Sequence, residues 1–299
     1  MSEEPFRSGF VSVLGVPNVG KSTLVNALVG QKVAIVSDKP QTTRNRILAV
    51  LNRPQGQIVL FDTPGIHKPE HRMNERMVRI ALGSLEQVDL VLWLVDAQAG
   101  YGPGERRVVE ALRRAKRPVI LGINKIDAVP KQKLLPTIEA YRHLLDFAEV
   151  VPLSARTGEN VDLLGGRLLA HLPEGERLYP DEFLTDLPER FFVSEMVRER
   201  ILHETREEVP YSTGVLIESF EEGPEIVKIQ AVILVEKQNH KGILIGRGGR
   251  MLKTIGSSAR KEIESFLGAR VFLGLFVKVR EGWREDPETL DTMGLIAKG

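Results

Sequence analysis

A lysine and a serine follow a glycine-rich turn close to the start of the chain. Residues 15–22 read Gly-Val-Pro-Asn-Val-Gly-Lys-Ser, which fits the pattern G-x-x-x-x-G-K-[ST]. In such a loop, successive backbone N–H groups surround phosphate oxygens, the lysine supplies positive charge and the hydroxyl binds Mg²⁺. We therefore predict that Lys21 contacts the β- and γ-phosphates of a nucleotide and that Ser22 ligates Mg²⁺.

The alternative for this segment is a chance glycine-rich turn. The apolar run FVSVL precedes it and the helical pattern KSTLVNALVG follows it, so the loop has the strand–loop–helix setting that the motif requires. This context favours the phosphate loop. The predicted nucleotide contacts from it are Gly15, Val16, Pro17, Asn18, Val19, Gly20, Lys21, Ser22 and Thr23.

The tetrapeptide Asp62-Thr63-Pro64-Gly65 follows a second apolar run, QIVLF. A carboxylate here holds Mg²⁺ through water, and the glycine N–H can sense the γ-phosphate. By itself the tetrapeptide would be an ordinary turn. Because a phosphate loop lies upstream, we assign all four residues and the following Ile66 to the nucleotide site, with Asp62 as a metal ligand.

Two further segments are suited to reading a base. Asn124-Lys125-Ile126-Asp127 follows the apolar run PVILGI, and Ser154-Ala155-Arg156 follows EVVPL. Asp127 can accept both N1–H and N2–H of guanine, a donor pair that adenine lacks. We expect Asn124 on the N7 and O6 side, the Lys125 stem on the ring, and backbone N–H groups of 154–156 near O6. An N-capped helix start is the simpler alternative for 124–127.

The order of these motifs resembles that of the Ras-like GTPases over residues 9–172. The resemblance implies a six-stranded, mostly parallel sheet with one antiparallel strand, and hydrolysis of GTP to GDP and phosphate. It also implies a threonine that ligates Mg²⁺ in the segment 37–44; Thr42 and Thr43 are both candidates, and we favour Thr43. Lys21, Asn18, Thr43 and Gly65 are the candidate catalytic residues.

Ile66 departs from the Ras-like pattern, in which a glutamine at this position orients the attacking water. In this the chain resembles bacterial-type GTPases that have a hydrophobic residue there. Many of those use an asparagine of the phosphate loop, here Asn18, beside a K⁺ ion. The resemblance implies K⁺ as a second cofactor; the alternative for Asn18 is a turn former without an ion.

The whole chain supports these motifs with two different patterns of elements. Strand-like runs alternate with helical segments over residues 1–172, which predicts a mostly parallel sheet with helices on both faces. The resemblance to the Ras-like GTPases implies that this segment is a P-loop GTPase domain. Residues 173–189 are acidic and proline-containing, and we expect a linker. Residues 190–299 predict a separate α+β domain. The chain has no cysteine, a net charge of +1 and no signal-peptide pattern, so we expect a cytoplasmic location.

A second glycine-rich loop lies in the later domain. Ile245-Gly246-Arg247-Gly248-Gly249 contains I-G-x-x-G, the loop with which KH domains clamp four backbone nucleotides. Residues 237–261 carry seven basic and no acidic side chains, as a local nucleic-acid groove would. A helix cap with a solvated charged face is the alternative, but the order helix, strand, strand, loop, helix, strand is that of the bacterial-type KH domain. The predicted RNA contacts are Lys241, Ile245, Gly246, Arg247, Gly248, Gly249, Arg250 and Lys253.

A GTPase domain followed by a KH domain in about 300 residues resembles the Era family of ribosome-associated GTPases. Membership implies binding near the 3′ end of small-subunit ribosomal RNA and a role in the maturation of the small ribosomal subunit. It also implies peripheral contact with the inner face of the membrane, and we expect a monomer. The alternative function is a GTPase switch whose C-terminal domain binds protein or membrane instead of RNA.

Overall fold

The computed structural model describes residues 5–296, so the two ends of the predicted domains, 1–4 and 297–299, lie outside the described residues. The chain divides into two compact units. The first comprises residues 5–70 and 74–186, and the second comprises 71–73 and 187–296.

Six strands form one sheet in the first unit. They are β1 Arg7–Leu14, β2 Ile47–Arg53, β3 Gly56–Asp62, β4 Leu90–Asp96, β5 Val119–Asn124 and β6 Glu149–Pro152. Their order is β2-β3-β1-β4-β5-β6, and every neighbouring pair is parallel except β2 and β3. The predicted six-stranded, mostly parallel sheet with one antiparallel strand is confirmed.

Helices cover both faces of this sheet. They are α1 Lys21–Val29, α2 Arg72–Gly83, α3 Pro103–Ala115, α4 Lys131–Arg142 and α5 Val161–Ala170. Leu24 of α1 and Leu168 of α5 belong to the core on one face, whereas Leu112 of α3 and Tyr141 of α4 belong to the core on the other. Burial on both faces explains why the central strands are almost continuously apolar.

The carboxyl ends of the parallel strands bring the predicted motifs to one edge of the sheet. The phosphate loop follows β1, Asp62 is the last residue of β3, and Asn124 is the last residue of β5. Ligands of open α/β sheets bind outside these ends, where loops and helix N-termini converge. The fold therefore assembles one site from motifs far apart in the sequence.

The connecting segment, residues 173–186, is packed against the first unit. Gln57 Oε1 accepts hydrogen bonds from the backbone N–H groups of Leu178 and Tyr179, both 2.9 Å long. The backbone N–H of Val50 donates to the carbonyl of Leu184 at 2.9 Å. These contacts anchor most of the predicted linker to the sheet that precedes it.

The second unit combines a three-stranded sheet with helices. Its elements are α6 Glu189–Glu204, β7 Thr213–Glu222, β8 Val227–Val235, α7 Gln238–Ile245, α8 Arg250–Leu267, β9 Val271–Val279 and α9 Pro287–Thr292. The strand order is β7-β8-β9; β7 and β8 are antiparallel, and β8 and β9 are parallel. Val193 of α6, Ile255 of α8 and Ile229 of β8 belong to one buried core.

The predicted order of elements is observed, with one helix in addition. Helix α7 occupies residues that the sequence pattern assigned to a loop. It holds Gly242 and a polar first turn, so its helical periodicity is weak, and tertiary packing of Leu244 and His240, both buried, stabilises it instead. Within residues 5–296, no helix has the length and apolar character needed to cross a bilayer.

Candidate functional site

The phosphate loop places Lys21 inside the site. Its ammonium group donates to the carbonyls of Gly15 at 3.3 Å and Val16 at 3.0 Å. Burial lowers the pKa of Lys21 to about 8, while the neighbouring Asp62 acts in the opposite direction. An anionic ligand would favour the charged amine further, so the loop is built to receive negative charge.

Gly65 lies directly against the phosphate loop. A Cβ atom at this position would lie 2.6 Å from the backbone nitrogen of Pro17, so there is no room here for a side chain. The next residue, Ile66, donates its backbone N–H to the carbonyl of Gly15 at 3.1 Å, and its side chain is 3% exposed within the core. The two motifs are thus held together by backbone contact, and the Ile66 side chain serves the core.

Three oxygen-bearing side chains meet beside Lys21. The Ser22 hydroxyl lies 2.6 Å from Asp62 Oδ2 and 2.7 Å from the Thr43 hydroxyl, and Thr43 lies 3.5 Å from Asp62 Oδ2. The Thr42 hydroxyl instead donates to the carbonyl of Lys39 at 2.7 Å. Thr43, not Thr42, is therefore grouped with Ser22 and Asp62.

The donor set fits a hard divalent cation. Asp62 Oδ1 is buried and accepts no hydrogen bond within the part of the chain that the structure describes. Burial raises the pKa of Asp62 to about 6, against the effect of the Ser22 hydrogen bond and of the Lys21 charge. Mg²⁺ prefers hydroxyl, carboxylate and water oxygens, and its charge would favour the ionised Asp62.

Asn18 is held in the left-handed region with φ 64°, which asparagine tolerates better than most residues. Its side-chain amide donates to the carbonyl of Asp38 at 2.7 Å. This bond ties the phosphate loop to the segment that carries Thr43. Its side-chain oxygen is the atom with which it could ligate a K⁺ ion.

Asn124 connects the loops around the base site. Its side-chain nitrogen donates to the carbonyl of Val19 at 2.7 Å, and its oxygen accepts from the N–H of Ala155 at 2.9 Å. The residue is 2% exposed. The second hydrogen of its amide nitrogen is left for guanine N7. The main role of Asn124 in this arrangement is to join two loops, and the sequence did not indicate this role.

Asp127 is oriented by the third base-site segment. Ser154 Oγ donates to its Oδ1 at 2.6 Å, and Arg156 donates to its Oδ2 at 2.5 Å. The Ser154 hydrogen bond, together with the Arg156 charge, holds the pKa of Asp127 below its ordinary value. The group is therefore an ionised acceptor at neutral pH, as recognition of the two guanine donors requires.

Asp96 belongs to this site although sequence reasoning did not select it. Its Oδ2 pairs with the Lys125 ammonium at 2.7 Å, and the same ammonium donates to the carbonyl of Asn18 at 2.7 Å. Asp96 ends β4 and stands in register with Asn124 of β5. An acidic residue at the carboxyl end of a buried parallel strand was the signal that could have identified it.

A cleft brings the predicted phosphate contacts together. It is lined by Pro17, Asn18, Gly20, Lys21, Ser22, Thr23, Thr43 and Gly65, among others. Thr63 instead donates its hydroxyl to the carbonyl of Val13 at 2.7 Å and is fully buried. The side chain of Val19 is buried in the core. These two residues support the loop from behind.

The second glycine-rich loop joins α7 to α8. Gly246, Gly248 and Gly249 have φ of 70°, 60° and 76°, a region that L side chains rarely adopt. Arg247, Arg250 and Lys253 are exposed, and Lys241 is half-buried. The first turn of α8 contains no acidic residue, so the helix N-terminus adds to the positive potential. The predicted RNA residues therefore lie together on and beside one loop.

Comparison with known families gives one match in each unit. Residues 10–125 match a family model described as 50S ribosome-binding GTPase, and residues 208–284 match the KH domain model. The first covers the phosphate loop and the Asp62 motif and ends within the base motif, after Asn124 and Lys125. The second covers the second glycine-rich loop.

Relatives match over the full length. GTPase Era of Geobacter metallireducens is 50% identical, covering 98% of this chain and 99% of the relative, and GTPase Era of Heliobacterium modesticaldum is 48% identical over 99% of each. A crystal structure of Era with MgGDPNP and nucleotides 1506–1542 of 16S ribosomal RNA is 43% identical, with a TM-score of 0.94, covering 97% of this chain and 99% of that one. A variant of Aquifex aeolicus Era bound to GDP·AlF4⁻ is 42% identical, with a TM-score of 0.93 and the same coverage. On this similarity in sequence and structure, the chain belongs to the Era family of GTPases.

Proposed function

We propose that this protein binds GTP with Mg²⁺, hydrolyses it to GDP and phosphate, and binds the 3′ region of small-subunit ribosomal RNA during maturation of that subunit. The observation that carries the GTPase part is the meeting of Ser22, Thr43 and Asp62 beside the buried Lys21. The ionised Asp127 selects guanine.

The residues of the chain act mainly by positioning and electrostatics. Lys21 and the backbone N–H groups of the phosphate loop hold the β- and γ-phosphates, and the Gly65 N–H contacts the γ-phosphate. Ser22, Thr43 and, through water, Asp62 would hold Mg²⁺, whose charge neutralises the phosphates when it is bound. Because Ile66 cannot orient water, we propose that Asn18 holds a K⁺ ion that supplies the missing positive charge.

The RNA part of the proposal rests on the loop between α7 and α8. The similar Era structure with 16S ribosomal RNA covers 97% of this chain, and the KH domain match covers the loop. The family description that names the 50S subunit matches only residues 10–125. The small-subunit RNA is therefore the better supported target, contacted by the eight residues predicted from the sequence.

The other parts of the proposal concern the setting of the protein. We propose a monomer that acts in the cytoplasm, with peripheral contact at the inner face of the membrane as a further interaction. We also retain the domain limits 1–172 and 190–299, with 173–189 between them.

Two variants test the two parts separately. Lys21→Ala should abolish GTP hydrolysis, because no other ammonium group lies in the phosphate loop, and should leave RNA affinity in the nucleotide-free state unchanged. Arg247→Glu should leave hydrolysis unchanged and weaken binding of an RNA of the 3′ sequence at fixed salt, because a carboxylate would face the phosphates. Hydrolysis by Lys21→Ala, or full RNA affinity of Arg247→Glu, would contradict the corresponding part.

A further inference from the structure

The sheet of the second unit exposes two phenylalanines on the face opposite its helices. Phe272 and Phe276 of β9 are 52% and 58% exposed. They are four residues apart, so their rings stand about 13 Å apart along one face of the strand. Gly274 lies between them on the same face, and the side-chain amide of Gln230 occupies the space where its Cβ would be. We call Phe272, Gln230 and Phe276 the aromatic strip.

Basic residues flank the aromatic strip. Lys228 is in register with Phe272, and Lys278 follows Phe276 on the same face; both lysines are exposed. The acidic residue closest in register is Glu221, which lies on β7 and pairs with Lys228 of β8. Strand β7 forms the opposite edge of the sheet from β9. The strip thus combines two aromatic rings and an amide with positive charge on the β8 and β9 side.

One end of this sheet face is covered by the chain itself. A Cβ at Gly214 would overlap the side chain of Met293 and lie 3.2 Å from the ring of Trp283. Leu234, in register with Gly214, is 2% exposed. The C-terminal residues therefore bury one end of the face and leave the aromatic strip open at the other.

We infer that the aromatic strip is a second RNA-binding surface of this domain, on which two unpaired bases stack. Successive bases stack on exposed aromatic rings of sheet faces, amide groups read base edges, and nearby lysines neutralise phosphates. A protein partner is less well matched, because lysine is depleted from the cores of protein interfaces. This inference rests on the proposed RNA-binding function.

The length of the RNA supports a second surface. The glycine-rich loop of a KH domain holds four nucleotides, whereas the RNA in the similar Era structure runs from nucleotide 1506 to 1542. An RNA of that length extends well beyond the loop. The aromatic strip lies in the same domain, so one strand can engage both surfaces and gain affinity from their linkage.

The test measures affinities of the full chain for two RNAs at one fixed salt concentration. One RNA carries the whole 3′ segment, and the other is a four- to six-nucleotide RNA that fills only the loop. Phe272→Ala with Phe276→Ala should weaken binding of the long RNA by about tenfold per ring, since each stacked base contributes on that order. Binding of the short RNA should not change. Phe272→Tyr with Phe276→Tyr keeps both rings and should restore the affinity.

Matched controls separate this inference from the proposed function. Phe266→Ala removes another exposed phenylalanine of the same domain, on α8, and should leave both affinities unchanged. Arg247→Glu should weaken both RNAs; if it weakens neither, the proposed RNA function fails whatever the strip does. If it weakens both while the double alanine variant binds the long RNA normally, the second surface is refuted. If the double alanine variant loses binding to anionic vesicles while its RNA affinity is unchanged, the aromatic strip is a membrane-binding surface and the inference is overturned.

Discussion

Burial and hydrogen bonds from hydroxyl groups determine the pKa values of the two aspartates in the nucleotide site. Burial raises the pKa of Asp62, and the Ser154 hydrogen bond is the main cause that lowers the pKa of Asp127. The two carboxyl groups thus serve different purposes. Asp127 is a permanent acceptor, whereas Asp62 carries an unfavourable charge that a cation would relieve.

Asp127→Asn should exchange the base specificity of the protein. The variant can no longer accept two hydrogen bonds from guanine as a carboxylate, so GTP affinity should fall by about 100-fold or more. Xanthosine triphosphate should bind better, because its carbonyl replaces the N2 amine. Competition binding with both nucleotides measures the change, with Asp162→Asn, a carboxyl exposed on the surface, as the control. Unchanged GTP affinity would contradict the role of Asp127.

Asp62→Asn should stabilise the nucleotide-free protein near neutral pH. Because the folded-state pKa of about 6 lies above the ordinary 3.8, the contribution of Asp62 is fully favourable below pH 3.8 and is lost as pH rises through 6. The free energy of unfolding of the variant should therefore exceed that of the wild type by up to about 3 kcal/mol at pH 7, and the two should be equal near pH 3.5. Denaturant unfolding in EDTA across this range measures it. A difference in unfolding free energy between variant and wild type that does not depend on pH would show that the Asp62 charge does not destabilise the fold.

The phosphate loop is the element that decides whether a second cation is used. Asn18 has a positive φ and bonds to the carbonyl of Asp38. Removing its side chain is best done with glycine, because glycine adopts the same backbone conformation without strain. The loop then keeps its shape while losing the amide oxygen.

Hydrolysis by the wild-type protein should be faster in KCl than in NaCl, and Asn18→Gly should remove that difference. The physical reason is that K⁺ held by the amide oxygen would stabilise the charge that develops on the phosphates. Rates of phosphate release at equal ionic strength measure the effect, and Asn18→Asp, which keeps an oxygen, should retain it. Equal wild-type rates in both salts would exclude K⁺ and leave the isoleucine at position 66 unexplained.

At the scale of the whole molecule, one chain carries a nucleotide site and the glycine-rich loop that we propose binds RNA. Residues 37–44 and 62–72 include Thr43 and Gly65, and segments of this kind reorder with the γ-phosphate. If the nucleotide changes RNA affinity, RNA must change nucleotide affinity by the same factor.

RNA affinity should therefore differ between the GDP form and the form with a non-hydrolysable GTP analogue, by about 5- to 150-fold for an ordinary coupling energy. Both affinities must be measured at one salt concentration, because phosphate contacts make them salt-dependent. Nucleotide affinity with and without RNA supplies an independent check of the same factor. Identical RNA affinity in both forms would show two uncoupled sites.

The sequence by itself determined the two architectures and predicted the residues that the fold brings together in the candidate nucleotide site. The phosphate loop, the Asp62 motif and the base motif are short segments whose chemistry depends on local spacing, and each follows an apolar run that is a strand. Since parallel strands end at one edge of a sheet, these motifs had to converge. The six-stranded sheet follows from the alternation of strand-like and helical runs, and the α+β unit follows from the change in that order after residue 189.

Only the tertiary structure revealed contacts between distant residues. Thr43, which the sequence already favoured over Thr42, lies beside Ser22 and Asp62, whereas the Thr42 hydroxyl donates to the carbonyl of Lys39. Asp96, helix α7 and the packing of residues 173–186 depend on side chains far away in the sequence, and so does the aromatic strip. Burial and partnership between such residues are properties of the folded chain, since local pattern fixes which element forms but not which neighbour it meets.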